Sequence, residues 1–100
     1  MGKLIVVYWR DIPSQVMARK GRETVAKVQL SQRFQEAIDR AAMRAGKGGS
    51  NAYIEEWRRE SLEREGDLRE AAEAEAARLD ASFDDPLLER MIKAGGVAVD

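Results

Sequence analysis

Residues 4–30 read LIVVYWRDIPSQVMARKGRETVAKVQL, and the fold turns on how that stretch divides. Residues 3–9 are rich in β-branched and aromatic types without a break, which suits a strand in the centre of a sheet or one buried on both faces. Pro13 lacks a backbone N–H, so it is expected to end that strand and redirect the chain. Beyond it, residues 15–20 and 23–30 alternate apolar and polar positions around Gly21-Arg22, the pattern of a β-hairpin. That hairpin carries Arg19, Lys20, Arg22 and Lys27, and the turn before it carries Trp9, Arg10 and Asp11.

Working outward, Ser31 is placed to cap a helix on which Phe34, Ala37, Ile38, Ala41, Ala42 and Ala45 recur at three- and four-residue spacing, with Gly46 closing it. Met43 falls on the opposite, charged side, where an apolar side chain hints at a contact. GKGGSN, residues 46–51, is a flexible connection. After it, Tyr53, Ile54 and Trp57 share a helical face with Ser50 or Asn51 as cap, while Tyr53, Glu55 and Trp57 could line one side of a strand. Helix is the expectation for residues 51–62 and strand the alternative. Asp67 followed by Glu70 is a capping-box pattern for a helix running to Phe83, and Asp85-Pro86 opens a last helix closed by Gly95. Glu75 lies within the thin apolar stripe of Leu68, Ala72, Ala76, Leu79 and Phe83, so it is expected to meet a cation from residues 1–59 or from a second copy, the alternative being a peripheral helix that leaves Glu75 in water.

This order gives an α+β fold: a small, mostly antiparallel sheet of one strand plus a hairpin, packed on the helix after Ser31 and followed by a helical C-terminal segment. A chain of 100 residues has room for one domain with one modest core. Its net charge of −1 conceals a polarity. Residues 1–59 hold 12 Lys/Arg against 6 Asp/Glu, and residues 60–100 hold 5 against 12. The chain is therefore divided into a basic α+β core, 1–59, and an acidic helical tail, 60–100, which either attract one another or leave a basic surface for an anionic partner.

The absence of cysteine and histidine removes disulfides, thiol catalysis, thiolate metal sites and the commonest general base. AGKGGS lacks the earlier glycine of a phosphate loop and follows a helix instead of a strand. KGRETVAKV has the opening of an RNA-recognition strand but Arg22, Thr24 and Lys27 stand where stacking aromatics are needed. The acid pairs Glu55-Glu56 and Asp84-Asp85 point in different directions on a helix, and Asp85 is better read as a cap. No catalytic residue, metal ligand or cofactor is assigned. Trp9-Arg10 and Trp57-Arg58 are either interface anchors or core rings with a snorkelling Arg. Lys3 is followed by only six apolar residues before Arg10, too few for a signal peptide or a membrane span, so a cytoplasmic protein with no membrane role is expected.

YWRDIP and AIDRAAMRAG, with LIVV, KGR and AYIEEWRR around them, resemble the small bacterial virulence factor domain family, which is related to a region of conserved virulence factor C. The likeness covers about the first 60 residues. It implies no reaction, ligand or catalytic residue, because the family is named after a phenotype of longer members. In those longer relatives the domain accompanies helical repeats and a domain similar to the N-terminal part of iron–sulfur scaffold proteins, which implies a role in assemblies.

The expectation is a non-enzymatic interaction or accessory domain that docks on a protein partner or on itself. Its candidate contact residues are Trp9, Arg10, Asp11, Arg19, Lys20, Arg22 and Lys27. The alternative is weak, non-specific binding of nucleic acid or another polyanion through the basic hairpin.

Overall fold

The computed structural model describes residues 2–98, apart from the side chain of Ser50. β1 (Gly2–Trp9), β2 (Ile12–Lys20) and β3 (Glu23–Gln29) follow one another as two hairpins. They are succeeded by α1 (Gln32–Arg44), α2 (Ser50–Glu55), β4 (Trp57–Arg64), α3 (Leu68–Ser82) and α4 (Asp85–Lys93). The sheet order is β3-β2-β1-β4, with every neighbouring pair antiparallel. The fold is α+β, and β1 is central, as its unbroken apolar run predicts.

Pro13 does not end a strand. The reversal comes earlier, at Arg10-Asp11, and Pro13 lies inside β2. Opposite Val7 and Tyr8 stand Gln15 and Pro13, so Ser14 is an extra residue and β2 bulges there. β3 pairs with β2 only from Gln15 onward, and a bulge beyond the end of a neighbouring strand is where a missing N–H costs least. At the tip of the second hairpin Gly21 takes φ 62°, the left-handed conformation that a tight two-residue turn requires.

Residues 51–62 split between the two readings. The helix ends at Glu55 and its cap position is Gly49, while from Trp57 the chain is strand. The physical reason is tertiary: β1 would otherwise present a row of unpaired N–H and C=O groups, and β4 satisfies them from Gly2↔Arg64 to Trp9↔Trp57 without a register shift. The compositional boundary at 59/60 falls inside β4, so the acidic segment begins as strand and not as helix.

The acidic segment also supplies the main cover of the sheet. α3 crosses β1, β2 and β3 with Ala72, Ala76 and Leu79 buried, while α1 packs mainly on α4 and β2. Leu4, Val6, Val16, Ala18 and Ala26 meet Phe34, Ile38, Leu79, Leu88 and Met91 in one core cluster. Each large aliphatic group buried there contributes about 1.5–3 kcal/mol.

The caps differ in detail from expectation. Ser31 occupies the N-cap position of α1, but its hydroxyl donates to Asp80 Oδ1 at 3.2 Å and makes no cap bond to the helix, whose Phe34 N–H instead meets the Ser31 carbonyl at 3.0 Å. Asp84, not Asp85, caps α4 by accepting from the Leu87 N–H, and Asp67 caps α3 by accepting from Glu70 as expected. Glu75 meets Arg78 of its own helix, not a cation from residues 1–59. An i,i+3 neighbour reaches the carboxylate at little ordering cost, so no distant donor is drawn in. The two halves are joined elsewhere: Arg33 pairs with Asp80 and Asp85, and Arg40 with Glu89.

A basic open sheet face as the candidate site

In a strand, successive side chains point to opposite faces. Because Leu4, Val6, Val16, Ala18 and Ala26 face the helices, Lys3, Ile5, Val7, Met17, Arg19 and Lys27 face the other way. The register turns them into rows across the sheet. Lys27, Met17, Ile5 and Ser61 form the middle row, Gln29, Gln15, Val7 and Arg59 lie on one side, and Thr24, Arg19, Lys3 and Glu63 on the other. The buried apolar residues of α1, α3 and α4 all belong to the cluster on the far side. Ile5 and Met17, 4% and 7% exposed, are sheltered as a separate pair in the middle of this face.

The charges around that apolar pair are the unusual feature. The ion pairs of the described residues engage Arg10, Arg33, Arg40, Lys47, Arg58 and Arg78, and none engages Lys3, Arg19, Lys20, Arg22, Lys27 or Arg59. Lys3 and Arg19 are direct cross-strand partners, an arrangement of like charges that weakens a sheet. Arg19 Nη2 donates to the Arg22 carbonyl at 3.0 Å, holding the guanidinium over the hairpin, while its buried Nε has no partner. Four cations, Lys3, Arg19, Lys27 and Arg59, stand on this face against Glu63 alone.

Of the residues expected at a contact, Arg19 and Lys27 belong to this face, with Lys20 and Arg22 exposed at its hairpin tip. Trp9 does not: it is 0% exposed. Its Nε1 donates to the Tyr53 carbonyl at 2.8 Å, and its ring stacks on Tyr53, which meets Trp57 edge-on. Trp9 is core, so its assignment as a contact residue is corrected.

Arg10 and Asp11 are half-buried and committed within the chain. Arg10 Nε donates to Glu56 Oε1 at 3.1 Å and Nη1 to the Gly95 carbonyl at 3.0 Å. The guanidinium beside Glu56 holds that carboxyl below its usual range. Asp11 accepts from Arg58 Nη2 at 3.0 Å and from the Ala98 N–H at 2.6 Å. Arg10 has φ 53°, a strained value for a non-glycine residue, fixed by its N–H on the Glu56 carbonyl and by the Asp11 N–H on Gly96. These residues lock the first hairpin to the C-terminal segment.

Lys3 and Arg59 were missed as members of the face. Their signal was available in the alternations Lys3-x-Ile5-x-Val7 and Arg59-x-Ser61-x-Glu63, once residues 57–64 are taken as strand. Elsewhere Met43, largely exposed, lines a shallow depression of about 580 Å³ with Ala42, Tyr53 and Ile54. No group of His, Cys, Asp or Glu that could hold a metal ion occurs among the described residues, and no helix there is long and apolar enough to cross a membrane.

No curated protein and no solved structure matches the chain. The model of one family does, over residues 7–92, a span that takes in most of both hairpins, β4 and all the helices through Ile92. The chain belongs to the virulence factor family.

Proposed function

We propose that the domain works by binding and not by catalysis, and that its open sheet face docks on an acidic surface of a protein partner. The observation that carries this reading is the set of cations Lys3, Arg19, Lys27 and Arg59, gathered on one sheet face beside half-buried Val7 and left without ion pairs among the described residues. A face of like-charged cations is complementary to an acidic protein surface.

Nucleic acid fits the same charges less well. The three rows that carry the cations present no aromatic side chain on which a base could stack, and a flat sheet face does not enter a duplex groove. The two are separated by salt. A nucleic acid held through four cations would lose roughly 100-fold in affinity over a fourfold rise in salt, whereas an acidic protein surface, with no condensed counterion atmosphere to release, would lose several-fold.

The test is affinity capture from the native host with the wild-type chain and with Arg19→Glu/Lys27→Glu/Arg59→Glu, each checked by circular dichroism for an intact fold. A stoichiometric protein partner, held after nuclease treatment and lost in the triple variant, is the expected result. Material that nuclease removes, or a partner that the variant retains, would overturn it.

A further inference from the structure

The two edges of the sheet are not alike. β3 is blunted as edge strands usually are, by a bulge at Val25 and by Lys27. β4 has neither a bulge nor a proline, runs eight residues in regular register, and among the helices and strands packs substantially on β1 alone. Its outer row of backbone groups therefore stands open. On it Leu62 is 45% exposed, directly opposite the fully buried Leu4, so the core continues to the rim of the sheet and stops uncovered.

We propose that the occupant of this edge is a second copy of the same chain, paired β4 to β4 about a two-fold axis at Leu62. Antiparallel pairing in that register puts Leu62 against the second copy's Leu62, Glu60 against Arg64, Arg64 against Glu60, and Ser61 against Glu63. Of the registers centred on residues 60 to 63, this one alone opposes no like charges: centring on Glu60 or Glu63 sets each acid against itself, and centring on Ser61 sets Arg58 against Arg64. Arg64 has no ion pair among the described residues, and Glu60 uses only Oε2, on Arg58. The pairing joins two sheets into one of eight strands, extends the core through the leucine pair, and leaves both open faces on the same side. Cross-strand charge pairs and an apolar pair at the axis set the register. The inference stands independently of what binds the basic face.

Sedimentation equilibrium tests it. The wild-type chain is expected to approach twice its monomer mass as concentration rises. Leu62→Lys and Glu60→Arg should each weaken association by about tenfold or more, equivalent to about 1.4 kcal/mol. The charge swap Glu60→Arg/Arg64→Glu should restore it to within a few-fold, which a merely structural defect at either position would not permit. A wild-type chain that stays monomeric to about 1 mM, a dimer indifferent to Leu62→Lys, or a swap that fails to restore pairing while circular dichroism shows a folded chain, would each overturn the proposal.

Discussion

At Gly96 φ is 97°, and a Cβ placed there would lie 2.8 Å from Cζ3 of Trp9, whose ring is already fixed by its bond to the Tyr53 carbonyl. Gly96→Ala is expected to cost about 2–4 kcal/mol in urea unfolding, from backbone strain and overpacking together. Gly21→Ala, with open space around the new methyl, should cost only about 1 kcal/mol. Glu75 presents a subtler case, being 8% exposed while the Arg78 that holds it is 61% exposed in its side chain. The hydrogen bond from Arg78 keeps the Glu75 carboxyl below its usual range, so its contribution is full above the unfolded carboxyl pKa and is lost as pH falls through the lower folded value. With water screening the pair, Glu75→Gln should cost about 0.5–1 kcal/mol at pH 7, and the difference from wild type should shrink as acid titration passes below the ordinary carboxyl range of about 4.3. That Glu75 is buried and paired was legible in the sequence; its partner was not, because a wheel places residues on a face without ranking the donors that can reach it. Trp9 was misread for a related reason: nothing local reveals that Tyr53 and Gly96, far along the chain, close over the ring.

β1, the second hairpin, α1, α3 and α4 could be read from periodicity and caps, since each carries its own signal. β4 could not, because WRRESLER has neither a clean alternation nor a helical stripe, and its strand character comes from the β1 edge it completes. Arg59, one of the four cations of the basic face, was hidden with it. Arg33 on α1 reaches Asp80 and Asp85, tying α1 to α3 and α4. Arg33→Ala should therefore cost about 1–2 kcal/mol in thermal or chemical unfolding, leaving acceptors on α3 without their donor. Arg19→Gln should behave in the opposite way. Removing one charge of the Lys3–Arg19 cross-strand pair relieves repulsion, so stability should hold or rise by up to about 0.5 kcal/mol while partner binding weakens. A clear loss of stability in Arg19→Gln would mean that the cation serves the hairpin and not a contact.

Over the whole molecule, the charge polarity of the sequence resolves into two separate uses. Arg33 and Arg40 of α1 pair with the acidic helices, binding the halves together, whereas Lys3, Arg19, Lys27 and Arg59 have no ion pair among the described residues on the other face of the sheet. Composition alone offered attraction between halves and an anionic partner as rivals; the topology permits both, because it sends the two sets of cations to opposite faces. The capture comparison between wild type and Arg19→Glu/Lys27→Glu/Arg59→Glu bears on this division most directly. The account predicts a nuclease-resistant, stoichiometric protein partner for the wild type and none for a triple variant that is as well folded, and a partner held equally by both would contradict it.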